Sequence, residues 1–157
     1  MYGHTLPPPP KRPCSGCAHF RGLAGPNHGP ALCANNSDPG TWRVHALVDS
    51  GCAFWLADQR KRVQLLVSGG REFCDRSAVF HALDTVMDRR FIVAIAHRGA
   101  GGADALGGEW ARTRGVDEVV GPIHWSEIDG VVAFPGDRES VATIAAAIEA
   151  GVPVWQP

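Results

Sequence analysis

An α/β fold, built on a parallel sheet with helices on both faces and preceded by a small cysteine-rich module, is what this sequence predicts. Three observations lead there. Short, near-continuous apolar runs alternate with amphipathic stretches from Val63 to the end; strands read this way when helical crossovers bury both faces of a parallel sheet. Glycine-rich loops separate the runs. Before residue 60 the character differs, with Cys, Gly, Pro and Trp prominent and few large apolar side chains.

In chain order, PPPPKRP cannot form helix and offers little to bury, so residues 1–13 are expected to be an extended, Pro-rich lead-in. Residues 14–58 form the cysteine-rich unit, and residues 62–157 the α/β domain. VQLLVS predicts its first strand. RSAVFHALDTVMDRR predicts a helix in which Val79, Leu83 and Val86 recur at helical spacing, with Asp75 placed to cap it. FIVAIA predicts a strand, ADALGGEWARTR a helix, and DEVVG and GVVAFP two more strands. In the last helix, SVATIAAAIEA, Val141, Ile144, Ala145 and Ile148 form a stripe expected to face the core; Gly151 stops the helix and Pro153 follows. VPVW is the final strand, and no internal repeat is evident.

The 157 residues, 45% hydrophobic, suffice for one ordinary core and a small appendage. Fifteen Lys and Arg against 16 acids leave a net charge of -1, so bulk electrostatics do not attract nucleic acid. The local basic runs, KRP and Gln59–Arg62, read more simply as solvated linker. No apolar run approaches the roughly 20 residues of a spanning helix, and MYGHTLPPPPKRP lacks the apolar stretch of a signal peptide. No membrane association and a cytoplasmic location are expected.

Cys14 and Cys17 form a C-x-x-C knuckle, and Cys33 and Cys52 follow. Two thiolates so spaced can grip one metal ion, and ligation would supply fold energy that few large apolar side chains cannot. Zinc is the expected cofactor, held by Cys14, Cys17, Cys33 and Cys52. An iron–sulfur cluster is the alternative, and His19 or His28 could replace one cysteine. Cys74 stands apart and reads as a variable loop position.

Ligands of parallel α/β sheets bind beyond the carboxyl ends of the strands, where loops lead into helix N-termini. Three loops have that position: SGGREFCD (68–75), HRGAGGAD (97–104) and PGDRES (135–140). Glycine permits close backbone approach, and unpaired N–H groups at a helix start attract anions. The candidate ligand-binding residues are Gly69, Gly70, Arg71 and Asp75; His97, Arg98, Gly99, Ala100, Gly102 and Asp104; and Gly136, Arg138 and Ser140. Arg71 is the best of them, because a guanidinium can meet a phosphate bidentately; its plainer reading is a surface salt bridge. Asp75 and Asp104 read most simply as helix N-caps, Glu109 as a solvated helix residue, and His97 as a hydrogen-bond partner of its loop. Trp110 and Trp125 read as core or pocket wall.

The order of these motifs resembles the SLOG superfamily, specifically its YspA-like group. Its members run strand-GGR-x-x-x-D, then H-G-x-A-x-G-A-D-x-L-x-x-x-W-A, then P-x-x-W, and then F-P-G-G-x-G-T before a helix. The likeness here passes through Gly69-Gly70-Arg71 with Asp75, then His97, Gly99, Ala100, Gly102, Ala103, Asp104, Leu106, Trp110 and Ala111. It continues with Pro122 and Trp125 and with Phe134-Pro135-Gly136, so that it covers about residues 62 to 157. The resemblance implies a Rossmann-like domain that binds or senses a nucleotide or nucleotide derivative, and implies homodimerisation.

The sequence departs from the pattern at several points. Arg98 stands where a Gly is usual and Gly101 where an Arg is usual, an Arg-Asn pair before the F-P-G turn is missing, and the usual G-G-x-G-T reads Gly136-Asp137-Arg138-Glu139-Ser140. The two acids in that last loop would repel a phosphate. The related LOG enzymes, which release cytokinin bases from ribose phosphates, use a catalytic Glu in the following helix. Its position falls near Ile144 here, so efficient turnover is not expected. A nucleoside-phosphate glycohydrolase and a zinc-stabilised interaction module with a vestigial pocket are the alternative functions.

Overall fold

The computed structural model describes residues 17, 18, 20–23, 31–33, 43–45 and 58–157. Three short strands come first, β1 (Phe20–Leu23), β2 (Ala31–Cys33) and β3 (Arg43–His45). They pair antiparallel in the order β1-β2-β3. The lead-in, Cys14, His19, His28 and Cys52 lie outside the described residues.

From Arg62 the alternation in the sequence becomes β4 (Arg62–Ser68), α1 (Arg76–Arg89), β5 (Phe91–His97), α2 (Ala103–Arg114), β6 (Asp117–Val120), a 3-10 turn at Trp125–Glu127, β7 (Gly130–Ala133), α3 (Arg138–Glu149) and β8 (Val154–Trp155). All five strands are parallel, in the order β6-β5-β4-β7-β8. The chain builds outward from β4 to β6, then returns to the other side of β4 with β7. That reversal places a topological switch point between β4 and β7, where the loops beyond the strand ends diverge and leave a crevice.

Side-chain alternation along β4 explains why both faces are covered. Val63, Leu65 and Val67 join Val79, Leu83 and Met87 of α1 and Trp110 and Ala111 of α2 in the larger core. Leu66 points to the opposite face, where Ala96, Val131, Ala133 and Ala147 make a second cluster. Ile123 and Trp125 pack there as well, so the β6–β7 connection covers part of a face where a helix would otherwise lie. Asp84 of α1 is buried in the larger core and accepts hydrogen bonds from Trp110 Nε1 at 2.7 Å and from the Arg114 guanidinium at 3.0 and 3.2 Å. A buried carboxylate is tolerated only when paired in this way, and here it ties α1 to α2.

The small antiparallel sheet is docked on the larger one. Leu32 of β2 is buried in the main core. Phe20 stacks on Phe91 at 6.2 Å, Arg21 donates to Asp88 at 2.6 Å, and Arg60 reaches the carbonyls of Phe20 and Met87.

Two expectations about helices need correction. Val141, Ala145 and Ile148 of α3 are exposed, with Ile144 only half-buried; the buried side of α3 carries Ser140, Thr143 and Ala147 instead. The helix docks on a sheet face that carries Leu66, Ala96, Val131 and Ala133, and it presents its small side chains there, which lets helix and sheet approach closely. Asp104 is not the N-cap of α2. Gly102 caps the helix without a side-chain bond, and Asp104 lies inside the first turn. Asp75 does cap α1, accepting the Ala78 N–H at 2.9 Å. Gly151, at φ 72°, follows the end of α3 as expected.

Candidate functional site

The three glycine-rich loops meet beyond the carboxyl ends of β4, β5 and β7, and they enclose a cleft of about 450 Å³. Ser68 at the end of β4 is followed by Gly69 and Arg71 of the β4–α1 loop; Arg98, Gly99, Ala100 and Gly101 come from the β5–α2 loop and Asp104 from the first turn of α2. Asp137, Glu139, Ser140 and Thr143 come from the first turns of α3.

Close backbone packing holds the loops together. Gly70 donates its N–H to the Pro135 carbonyl at 3.0 Å and accepts from Phe73 at 3.0 Å. Gly102 lies against this same turn: a Cβ built on it would stand 2.7 Å from the Arg71 carbonyl carbon and oxygen, and closer still to the Gly70 oxygen. Its φ of 66° with ψ of -129° is a conformation that L residues avoid. Gly70 and Gly102 therefore serve contacts between loops and do not line the cleft, and neither does Gly136, packed against Ser140 and Gly70.

The charged side chains of the cleft are largely turned on one another. Arg71 donates to Glu139 at 2.8 Å, from one side of the mouth to the other, with both side chains 62% exposed. Arg98 crosses to α3 and donates to Thr143 Oγ1 at 2.9 Å, while Thr143 Oγ1 donates to the Glu139 carbonyl. Asp104 is buried and accepts the Arg98 N–H at 3.1 Å. Burial pushes its carboxyl above the usual value, against the N–H groups of Arg98 and Ala100 that favour the charged form. Asp137 caps α3, its Oδ1 accepting from Glu139 N–H at 3.0 Å and Ser140 N–H at 3.1 Å. These bonds, that of Ser140 foremost, hold its carboxyl below the usual value.

His97 sits behind the cleft wall and does not line it. Its Nδ1 accepts the Gly99 N–H at 3.1 Å, which leaves Nε2 protonated to donate to Glu118 at 2.8 Å. Arg112 donates to both oxygens of Glu118, one of them the Oε1 that His97 reaches, and, foremost of the two, keeps that carboxyl low. The imidazole is thus the loop's hydrogen-bond partner, as its position at a strand end suggested.

Of the residues expected to bind ligand, the structure brings together Gly69, Arg71, Arg98, Gly99, Ala100, Asp104 and Ser140 around the cleft. Gly70, Asp75, His97, Gly102 and Gly136 support the loops behind it, and Arg138 faces a shallow hollow on the outer side of α3. Ser68, Gly101, Asp137, Glu139 and Thr143 were missed. Thr143 was within reach of the sequence, being three residues after Ser140 and hence on the same helical face. Asp137 was likewise signalled by its place at a helix start.

Trp110 is fully buried in the core, and Trp125 packs on the second cluster. Glu109 pairs with Arg76 at 2.8 Å, and Cys74 is exposed. Of the four expected metal ligands, Cys17 and Cys33 are described; Cys14 and Cys52 lie outside the described residues. Cys17 accepts the Phe20 N–H through its carbonyl, and Cys33 lies opposite Phe20 in the β1–β2 register. Among the described residues, no helix is long and apolar enough to cross a membrane.

No curated protein and no solved structure is a significant match to the chain. Residues 63–127, which carry β4 to the 3-10 turn and two of the three cleft loops, match the YspA, cpYpsA-related SLOG family, and over this stretch the chain is similar to that family.

Proposed function

We propose that the cleft binds or senses a nucleotide or nucleotide-derived ligand, without efficient turnover. The observation that carries this reading is the convergence of three strand-to-helix loops on one cleft at the switch point of a parallel sheet, with two guanidiniums, Arg71 and Arg98, at its wall. The match of residues 63–127 to a SLOG family supports a nucleotide-related ligand. Against turnover stands the engagement of the lining carboxylates. Asp104 accepts from backbone N–H groups, Asp137 caps α3, and Glu139 is paired with Arg71. A general acid or base must instead be within reach of the proton it transfers.

A thermal-shift series on zinc-replete protein tests this, using ribonucleosides, their 5′-phosphates, and cyclic and ribosylated derivatives. A ligand that binds only the folded state stabilises it by about 2.7 kcal/mol at 100 times its Kd. The expected result is a dose-dependent rise for at least one compound, lost in Arg71→Ala or Arg98→Ala. Silence across the series, or a rise untouched by both substitutions, refutes the reading and favours an interaction module.

Zinc belongs to the same proposal, with Cys14, Cys17, Cys33 and Cys52 as ligands. The placement of Cys17 and Cys33 about one register pair is compatible with it, and four thiolates suit zinc. Elemental analysis of purified protein should give one zinc per chain, lost in Cys14→Ser with Cys17→Ser. Iron in its place would mean a cluster.

A further inference from the structure

The helix start nearest the cleft is already occupied by the protein's own charge. The first turn of α3 offers the N–H groups of Glu139 and Ser140 and the Ser140 hydroxyl, which together would hold an anion. All three donate to one oxygen, Oδ1 of Asp137, at 3.0, 3.1 and 3.3 Å. A phosphate entering here must displace that carboxylate from a helix cap and then lie beside it, with Glu139 one helical turn or less away. The two cations that reach this end are already engaged. Arg98 is engaged with Thr143, and Arg71 is neutralised by Glu139 across the mouth. Asp104 adds a third carboxylate on the opposite wall.

We propose, resting on the reading of the cleft as a nucleotide site, that Asp137 is its specificity determinant: it closes the α3 end to phosphate and restricts the ligand to a nucleoside or a singly phosphorylated nucleotide. One phosphate can be met by Arg71 and Arg98, the two guanidiniums of the wall, once Arg71 releases Glu139. A second or third phosphate finds only carboxylates and filled N–H groups. The same three acids accept hydrogen bonds from donor groups, which favours the hydroxyls of a ribose over a polyphosphate chain.

The test is calorimetric titration of the full chain in magnesium-free buffer with the four common ribonucleosides, their 5′-monophosphates and their 5′-triphosphates. For the base that binds, the native chain should hold nucleoside and monophosphate within about tenfold of each other, and triphosphate at least tenfold more weakly than monophosphate. Asp137→Gly opens the N–H groups, and Asp137→Asn keeps a capping side chain while removing its charge, so at least one variant retains α3. Both should shift the triphosphate-to-monophosphate ratio at least tenfold toward the triphosphate. A native chain that prefers triphosphate, or a ratio indifferent to both substitutions, overturns the role of Asp137 while leaving the nucleotide reading standing. If none of these compounds binds, the role of Asp137 falls, and the nucleotide reading is then decided by the cyclic and ribosylated derivatives of the thermal-shift series.

Discussion

Gly102→Ala separates the structural glycines of the cleft from its lining. A methyl on Gly102 would stand 2.7 Å from two backbone atoms of Arg71 and closer to the Gly70 oxygen, none of which can rotate away. Overpacking of this kind costs about 1–3 kcal/mol. Alanine at φ 66° and ψ -129° adds strain of about 1–3 kcal/mol. A loss of at least about 2 kcal/mol follows, and with a urea slope of about 1–3 kcal/mol/M the unfolding midpoint should fall by roughly 1–2 M. Any relaxation must move the β4–α1 loop, since Gly70 and Arg71 take the contact, so Arg71 should leave its place opposite Glu139. Gly101→Ala is the internal control. Its Cβ would meet the Arg71 oxygen at 3.5 Å, ordinary contact, and its backbone lies outside the left-handed region. The midpoint of that neighbouring variant should stay within the equivalent of about 1 kcal/mol of the native value. Urea denaturation of both variants, followed by tryptophan fluorescence, decides the matter. If Gly102→Ala unfolds like Gly101→Ala, the loops are not packed as described, and the cleft they form is in doubt.

Asp137 gives a pH-dependent prediction. Its carboxyl lies below the ordinary value in the folded chain, so its contribution is present above the unfolded value and is lost as pH falls through the folded one. Thermal midpoints should therefore drop for Asp137→Ala at neutral pH and less for Asp137→Asn, which keeps a capping oxygen without the charge, and both gaps to native should narrow as pH falls; equal midpoints for all three at pH 7 would contradict the cap. Trp110→Phe removes the indole donor from buried Asp84 and should cost about 1–3 kcal/mol in urea denaturation. A neutral result there would mean that Arg114 alone satisfies the carboxylate. His97→Ala deletes the acceptor of the Gly99 N–H, worth about 0.5–1.5 kcal/mol, so Gly99 amide exchange should accelerate about two- to thirteenfold. An unchanged rate would show that the loop does not lean on the imidazole.

Much of this protein follows from local sequence. The apolar runs from Val63 and the amphipathic stretches between them became five parallel strands and three helices, because periodicity reports which faces are buried and by what. The Asp75 cap and the Gly151 stop were legible for the same reason: each is decided by hydrogen bonds within a few residues. The three glycine loops were recognisable as cleft-forming, since a parallel sheet places every strand-to-helix turn at one edge.

Tertiary structure decided the rest. The Val141, Ala145 and Ile148 stripe has helical spacing yet faces outward, because α3 packs on the sheet through the smaller Ser140, Thr143 and Ala147. Spacing states that a helix has two faces, and only the partner surface chooses between them. Asp104 looked like a cap in the sequence, but the loop before it folds back so that Gly102 begins the helix and Asp104 turns to the Arg98 N–H. Whether a glycine yields to a ligand or to another loop, as Gly70 and Gly102 do, depends on what approaches it from far along the chain. The pairing of Arg71 with Glu139 and of Arg98 with Thr143 is of the same kind, joining residues 68 and 45 positions apart. Residue types limit which such bonds can form, and the packing of β4, β5 and α3 around one cleft selects those that do.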